Sequence, residues 1–223
     1  MMVLDSIDAV LLDLYDTVAW SQWPRQLAMM SARLGIKPDS LLEAFDRTRP
    51  ARNVGTYPDA EGDMNAVLLA LGIHDRLLAR ELVEAEARFL SASLHVYEDA
   101  LPTVRELRAR GVRTALVSNC SHSTRPAVDR LGFEREFDAV VLSFEVGARK
   151  PQPAIYQAAL TGLGVGAERA VFVDDQAAYC DGARALGMET RLIVRDLGPD
   201  RIEGDPVDSN GHLVITSLAA LLE

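Results

Sequence analysis

Long apolar runs are absent from this sequence. No stretch approaches the ~18–20 consecutive residues needed to cross a bilayer, so a membrane-spanning helix is not expected. Cysteine is scarce, limited to Cys120 and Cys180. That excludes a disulfide framework and points to a reducing cytoplasm, with both thiols free. Met1 to Asp5 has neither the basic flank nor the cleavage pattern of a leader. Positive charge is also in short supply: 23 Lys and Arg stand against 33 Asp and Glu, a net charge of −10. The resulting field opposes nucleic-acid backbones and anionic membranes, so neither is an expected partner. It would repel a small anionic substrate as well, unless a cation is placed at the site. Tandem repeats are missing too. The Leu-Gly-Ile at Leu34 to Ile36 recurs at Leu71 to Ile73, which a helix-ending glycine explains.

What is present is the mix of an ordinary globular protein. In 223 residues, 48% apolar, there is room for one core with a smaller insertion. Short apolar runs at Ala9 to Asp13, Val112 to Val117, Ala139 to Leu142, Ala170 to Val173 and Arg191 to Val194 suit strands buried on both faces. His212 to Ile215 offers one more, and Ser217 reads as the N-cap of a final short helix. Helical patterns lie between the runs, at Leu101 to Arg110, Thr124 to Leu131, Pro153 to Leu163 and Ala177 to Leu186. Strands and helices alternating in this way predict an α/β fold, a Rossmann-like three-layer core around a parallel sheet. From Ser21 to Ser93 the pattern changes to helices without a convincing strand, at Pro24 to Leu34, Leu41 to Arg47, Asp63 to Leu71 and Arg76 to Leu90. We therefore expect an inserted α-helical module at roughly residues 18–95, with the core made of residues 1–17 and 96–223.

Parallel sheets bind ligands at the carboxyl ends of their strands, where loops splay and helix N-termini converge. Four strand ends carry polar residues in chain order here. The first gives Asp13-Leu14-Tyr15-Asp16-Thr17 and the second Ser118-Asn119. Lys150 follows the third, before Pro151, and the fourth runs into Asp174-Asp175. One acid after one strand is usually a solvated cap; the ordered set is harder to dismiss.

With those motifs the chain resembles the haloacid dehalogenase-like hydrolases along nearly all of its core. The matching stretches are Val10 to Asp13, Leu116 to Asn119, Gly147 to Pro151 and Val171 to Asp175, followed by Gly182 to Met188. The resemblance implies a Rossmann-like core with a helical cap inserted after the first motif. It also implies a nucleophilic Asp13 that forms a covalent ester, dividing one difficult displacement into two. Catalytic roles would fall to Asp13, Tyr15, Thr17, Ser118 and Lys150. Substrate contacts would fall to Ser118, Asn119, Lys150 and Trp20. Mg²⁺ would be held by Asp13 and Asp175, with Asp174 orienting its shell and the backbone carbonyl of Tyr15 completing the site. Lys150 and the metal are then the local cations that an acidic surface requires. The partner implied is a small phosphorylated metabolite, and the chain would act as a monomer or homodimer.

One departure matters. Phosphatases that the chain resembles carry a second Asp two residues after the nucleophile, as general acid and base. Tyr15 occupies that position, and Asp16, one residue on, would point elsewhere along an extended segment. Tyrosine there resembles the metal-independent 2-haloacid dehalogenases instead, yet those enzymes lack the acidic pair. The sequence thus leaves three readings: phosphatase, dehalogenase, and a non-catalytic sensor of phosphorylated ligands. Plainer roles suit other residues: hinge packing for Trp20 and Trp23, a surface position for His122, a solvated face for Arg47, Arg49 and Arg52, and a surface salt bridge for Arg149.

Overall fold

The computed structural model describes residues 7–195 and 209–223, so Met1 to Asp5 lie outside the described residues. Six strands form one parallel sheet: β1 (Ala9–Leu12), β4 (Arg113–Ser118), β5 (Ala139–Leu142), β6 (Ala170–Asp174), β7 (Glu189–Ile193) and β8 (Leu213–Ile215). Their order across the sheet is β5-β4-β1-β6-β7-β8. The unbroken Ala-Val-Leu-Leu of β1 is buried at every position, because helices cover both faces. Its side chains alternate between two cores. Val10 and Leu12 pack with α5 (Ala100–Ala109), α6 (Arg125–Leu131) and α7 (Phe133–Glu136). Ala9 and Leu11 pack with α9 (Pro153–Leu163) and α10 (Ala177–Arg184). Gly132 and Gly164 close α6 and α9 in the left-handed conformation, at φ 69° and 66°, as helix-ending glycines do.

The topology fixes where chemistry can occur. Strand β1 pairs with β4 on one side and β6 on the other, with Leu12 opposite both Leu116 and Val173. The chain winds outward from β1 in both directions, so its carboxyl end lies at the switch point of the sheet. A crevice opens there. Asp13 begins that crevice, and its backbone N–H is tied to the Val173 carbonyl at 3.0 Å.

Between β1 and β4 the chain inserts α1 (Trp23–Leu34), α2 (Pro38–Arg52), α3 (Ala60–Ala70) and α4 (Arg76–Ser93). These helices enclose a core of their own, built on Leu27, Met30, Leu41, Phe45, Met64, Val67, Leu68 and Leu82. Two details differ from the sequence reading. A short ribbon not read from the sequence brackets the segment, outside Ser21 to Ser93: β2 (Ala19–Trp20) and β3 (His95–Val96) pair antiparallel where the insertion leaves and rejoins the sheet. At two residues each they are too short for an alternation to register. Helix α2 also continues past Arg47 to Arg52, through Pro50. Proline removes a helical N–H, but this last turn is held from its side chains: Thr48 Oγ1 donates to the Ala44 carbonyl and Arg52 to that of Phe45. Among the described residues no helix is long and apolar enough to cross a membrane.

The insertion sits tightly on the sheet domain. Gly55, at φ 64°, passes so close to α8 (Ser143–Val146) that a Cβ there would run into the Phe144 carbonyl. Both the left-handed φ and the contact exclude a side chain. Gly55→Ala is expected to cost about 1–3 kcal/mol, measured by urea denaturation. A loss within error of zero would show that this approach is not a tight fit.

Candidate active site

Three segments far apart in the chain meet at the end of β1. Lys150 Nζ donates to Asp13 Oδ1 at 2.5 Å and to Asp174 Oδ2 at 2.6 Å. All three side chains are buried, with Lys150 only 1% exposed. The lysine is held by its backbone: Asn119 accepts from the Lys150 N–H at 2.7 Å and donates to its carbonyl at 3.0 Å. Both amide atoms of Asn119 are used in this clamp. The other oxygen of Asp174 accepts from the Gln176 N–H at 2.8 Å, so that carboxylate is anchored on both sides. Tyr179 and Phe172 rings stand 5.1 and 5.6 Å from the ammonium and add cation–π attraction.

Asp175 completes a cluster. One oxygen from each of Asp13, Asp174 and Asp175 lies within 4.8 Å of the others. Three carboxylates therefore face one ammonium, a shortage of positive charge in a place largely closed to water. The titration directions follow. Burial pushes Asp13 up to about 7, against the pull of Lys150, and the Asp174 charge adds to the rise. Asp175 is pushed up to about 9, first by burial and then by Asp13, Asp174 and Asp16. Burial would lower the Lys150 ammonium, but the two carboxylates in contact outweigh it and hold it above its ordinary value. A divalent cation bound by oxygen would cancel this excess, so the residues present fit Mg²⁺. Two further groups suit an anionic ligand beside it: the hydroxyls of Ser118 and Thr17 are buried with no hydrogen-bond partner among the described residues. Buried hydroxyls are seldom left so.

A cavity of about 350 Å³ opens over Asp13. Tyr15, Asn119, Lys150 and Asp175 stand on its wall, whereas Thr17, Ser118, Asp174 and Trp20 are not among its lining residues. Trp20 instead stacks on His95 across the β2–β3 ribbon, ring centroids 4.7 Å apart. Trp23 reaches the wall, edge-on to Phe45 at 5.2 Å. The Tyr15 hydroxyl bonds with Thr124 Oγ1 at 3.1 Å, and burial holds the phenol well above its ordinary pKa.

Four expectations need correction. Asp16 does not point away: it adopts φ 60° and stands on the cavity wall, because a left-handed residue breaks the alternation of an extended chain. Arg149 makes no ion pair among the described residues and lines the cavity. His122 is half-buried at the start of the next helical turn and is held there, not loose on the surface. Its Nδ1 meets Asp63 Oδ2 at 2.8 Å and its backbone N–H donates to the same oxygen at 3.1 Å, tying α3 to the sheet domain. Arg52, finally, is buried against the cavity and not on a solvated face, while Arg47 and Arg49 are exposed, Arg49 at the cavity wall in an ion pair with Asp46. Cys120 and Cys180 are free, buried and on opposite faces of the sheet.

The sequence reading passed over Gln26 and Glu86, which line the cavity from α1 and α4. A signal existed: Glu86 falls between Leu82 and Leu90 on the buried stripe of α4, where a charge is costly without a purpose. Gln26 Nε2 donates to Glu86 Oε1 at 3.1 Å.

A family model described as haloacid dehalogenase-like hydrolase matches residues 7–187. The chain is similar to a phosphatase of Mycobacterium tuberculosis, 37% identical over 44% of this chain and 46% of that protein. It is also similar to the phosphoserine phosphatase of Thermus thermophilus, 34% identical over 65% of this chain and 58% of that protein. The chain spans about half the length of the curated relatives it matches. Among solved structures, a HAD phosphatase of Thermococcus onnurineus superposes with a TM-score of 0.65 at 26% identity, covering 96% of each chain.

Glu86 gives a pH test. Burial raises its carboxyl to about 7, opposed by the Arg52 charge and the bonds from Gln26 and Ser123, and reinforced by Asp63. A folded-state pKa above the unfolded value favours folding at low pH, and that advantage is lost as pH rises through the folded pKa. Glu86→Gln should therefore match the parent in stability near pH 4 and exceed it by about 2–3 kcal/mol above pH 8. Equal stabilities at pH 8 would show that Glu86 ionises there at no cost.

Proposed function

The chain belongs to the haloacid dehalogenase-like hydrolases, and we propose that it is a Mg²⁺-dependent phosphomonoesterase of a small metabolite, with Asp13 as its nucleophile. The observation that carries this reading is the Asp13 carboxylate gripped by a buried lysine inside an acidic cluster, at the mouth of a cavity. Phosphatases among the relatives support it. So does Asp175: a second carboxylate beside Asp174 would repel a haloacid, yet it suits a metal-bound phosphate.

In this reading Asp13 attacks phosphorus. The bond from phosphorus to the alcohol oxygen breaks, and an aspartyl phosphate forms as the alcohol leaves and takes up a proton. Water then attacks the same phosphorus, gives up a proton, releases inorganic phosphate and restores the carboxylate. Lys150 holds the attacking oxygen in place and neutralises charge on the transferring group. Ser118 and Thr17, with hydroxyls still to be satisfied, would donate to phosphoryl oxygens. Asp13, Asp175 and the Tyr15 carbonyl would hold Mg²⁺, while Asp174 keeps Lys150 and the following loop in place. Mg²⁺, when bound, would withdraw negative charge from the phosphoryl oxygens. The helices of residues 18–95 would act as a cap, excluding water from the cavity.

Tyr15 shapes the reaction by what it does not supply. Its hydroxyl is engaged by Thr124 and is too weak an acid to protonate a poor leaving group. Such proton transfer contributes about 10²–10⁴-fold elsewhere, so activated esters should be hydrolysed in preference to alkyl esters. The same tyrosine favours the second reading, metal-free dehalogenation of a 2-haloacid. The test is hydrolysis of an aryl phosphate with Mg²⁺, with EDTA, and by Asp13→Asn. We expect turnover that EDTA abolishes and that the variant lowers by at least ~10³-fold. No turnover with any divalent metal would sink the phosphatase reading, and metal-independent halide release would install the dehalogenase one.

A further inference from the structure

Opposite the acidic cluster, the cavity wall formed by α1, α2 and α4 contains a buried arginine with an unsatisfied charge. Arg52, at the end of α2, is 7% exposed. Its Nε donates to Thr48 Oγ1 at 3.0 Å and its Nη2 to the Phe45 carbonyl at 3.0 Å. Nη1 reaches Ser121 Oγ only at 3.5 Å. The guanidinium lies 5.0 Å from the centroid of the Phe45 ring. These neutral acceptors orient the group and do not saturate its fork of donors. No carboxylate among the described residues comes within 4.0 Å of it, since Arg52 enters none of the ion pairs. Asp63 and Glu86 act on it only from a distance, and burial lowers its pKa.

A buried cation left without an anion in contact is costly, by several kcal/mol in general. It persists where something else supplies the anion. One neighbour points the same way, and another offers a neutral polar contact. Arg149 stands on the core side of the cavity without an ion pair among the described residues. Gln26, 1% exposed, has its Oε1 unpartnered and offers an acceptor to a ligand hydroxyl or ammonium. The cavity thus has an acidic end, where Lys150 meets Asp13, and an arginine end on the inserted helices.

We propose that the arginine end binds a second anionic group on the substrate, so that the substrate class is a small phosphate ester whose carbon body ends in a carboxylate or a second phosphate. This inference rests on the phosphatase reading for the first group. Arg52 is its principal specificity determinant, binding the second anion through its fork, and Arg149 adds charge from the opposite side. The cavity volume of about 350 Å³ confines the ligand to a small metabolite.

Non-hydrolysable phosphonates separate binding from turnover. In the presence of Mg²⁺, 3-phosphonopropionate and n-propylphosphonate are titrated calorimetrically into the protein, and a bisphosphonate of similar length into a third sample. The wild-type protein should bind 3-phosphonopropionate at least tenfold more tightly than propylphosphonate, and Arg52→Gln should reduce that ratio below threefold. Arg52→Lys should keep an intermediate ratio, because the charge remains and the fork is lost. Comparison of the carboxylate with the bisphosphonate identifies which anion is preferred. Equal wild-type affinities, or a ratio that survives Arg52→Gln, would overturn the inference while leaving the phosphatase reading intact. Failure of every phosphonate to bind would overturn both. If Arg52→Gln does not fold, as judged by its melting curve, the wild-type ratio and its reduction in Arg149→Gln decide.

Discussion

Lys150 places its ammonium between two buried carboxylates, and in doing so it joins the ends of two sheet strands to the loop that leaves a third. Asp13 follows β1, Asp174 ends β6, and Lys150 follows α8. A lone buried ammonium would be several kcal/mol out of balance, and removal of either partner leaves an uncompensated ion. Neither the lysine nor the aspartates can therefore vary independently. The Asn119 clamp at the end of β4 extends the constraint to a fourth strand. The register that sets Leu12 opposite Leu116 and Val173 is what brings the four groups to one level.

The same contact makes the site electrostatically one-sided. One ammonium does not match Asp13, Asp174 and Asp175, with Asp16 close enough to add to the imbalance. The deficit would give a divalent cation its reason to bind. It also explains how a chain with a net charge of −10 would receive an anion: positive charge is concentrated locally, in Lys150, Arg149 and Arg52, and the overall field is left as it is. The inserted helices cover this site, and charges interact more strongly where water is excluded. Polar and steric contacts seat these helices, notably Asp63 with His122 and Gly55 with Phe144.

The sheet was legible in the sequence for a simple reason. Strands buried on both faces must be apolar throughout, and β1, β4 and β6 announce themselves as runs such as Ala-Val-Leu-Leu and Ala-Val-Phe-Val. The helices of the insertion were visible by periodicity, but the β2–β3 ribbon was not, because two residues carry no period. The acidic and basic residues at the strand ends were legible as well, since parallel strands deliver whatever follows them to one edge. The direction of Asp16 was not legible, because its backbone turns at φ 60° where the pattern of an extended chain implies alternation.

By itself, then, the sequence determined the elements and which polar residues follow each strand, through patterning that is local in the chain. Only the tertiary structure decided the roles of residues on the inserted helices. Arg47, Arg49 and Arg52 are chemically alike and close in sequence, yet Arg47 stays off the cavity, Arg49 meets its wall while exposed and paired with Asp46, and Arg52 is buried there. Gln26 and Glu86, sixty residues apart, become a hydrogen-bonded pair. Their meaning depends on the angle at which four helices settle over the end of β1. That angle is set by packing between distant segments, which leaves no period or motif in the chain itself.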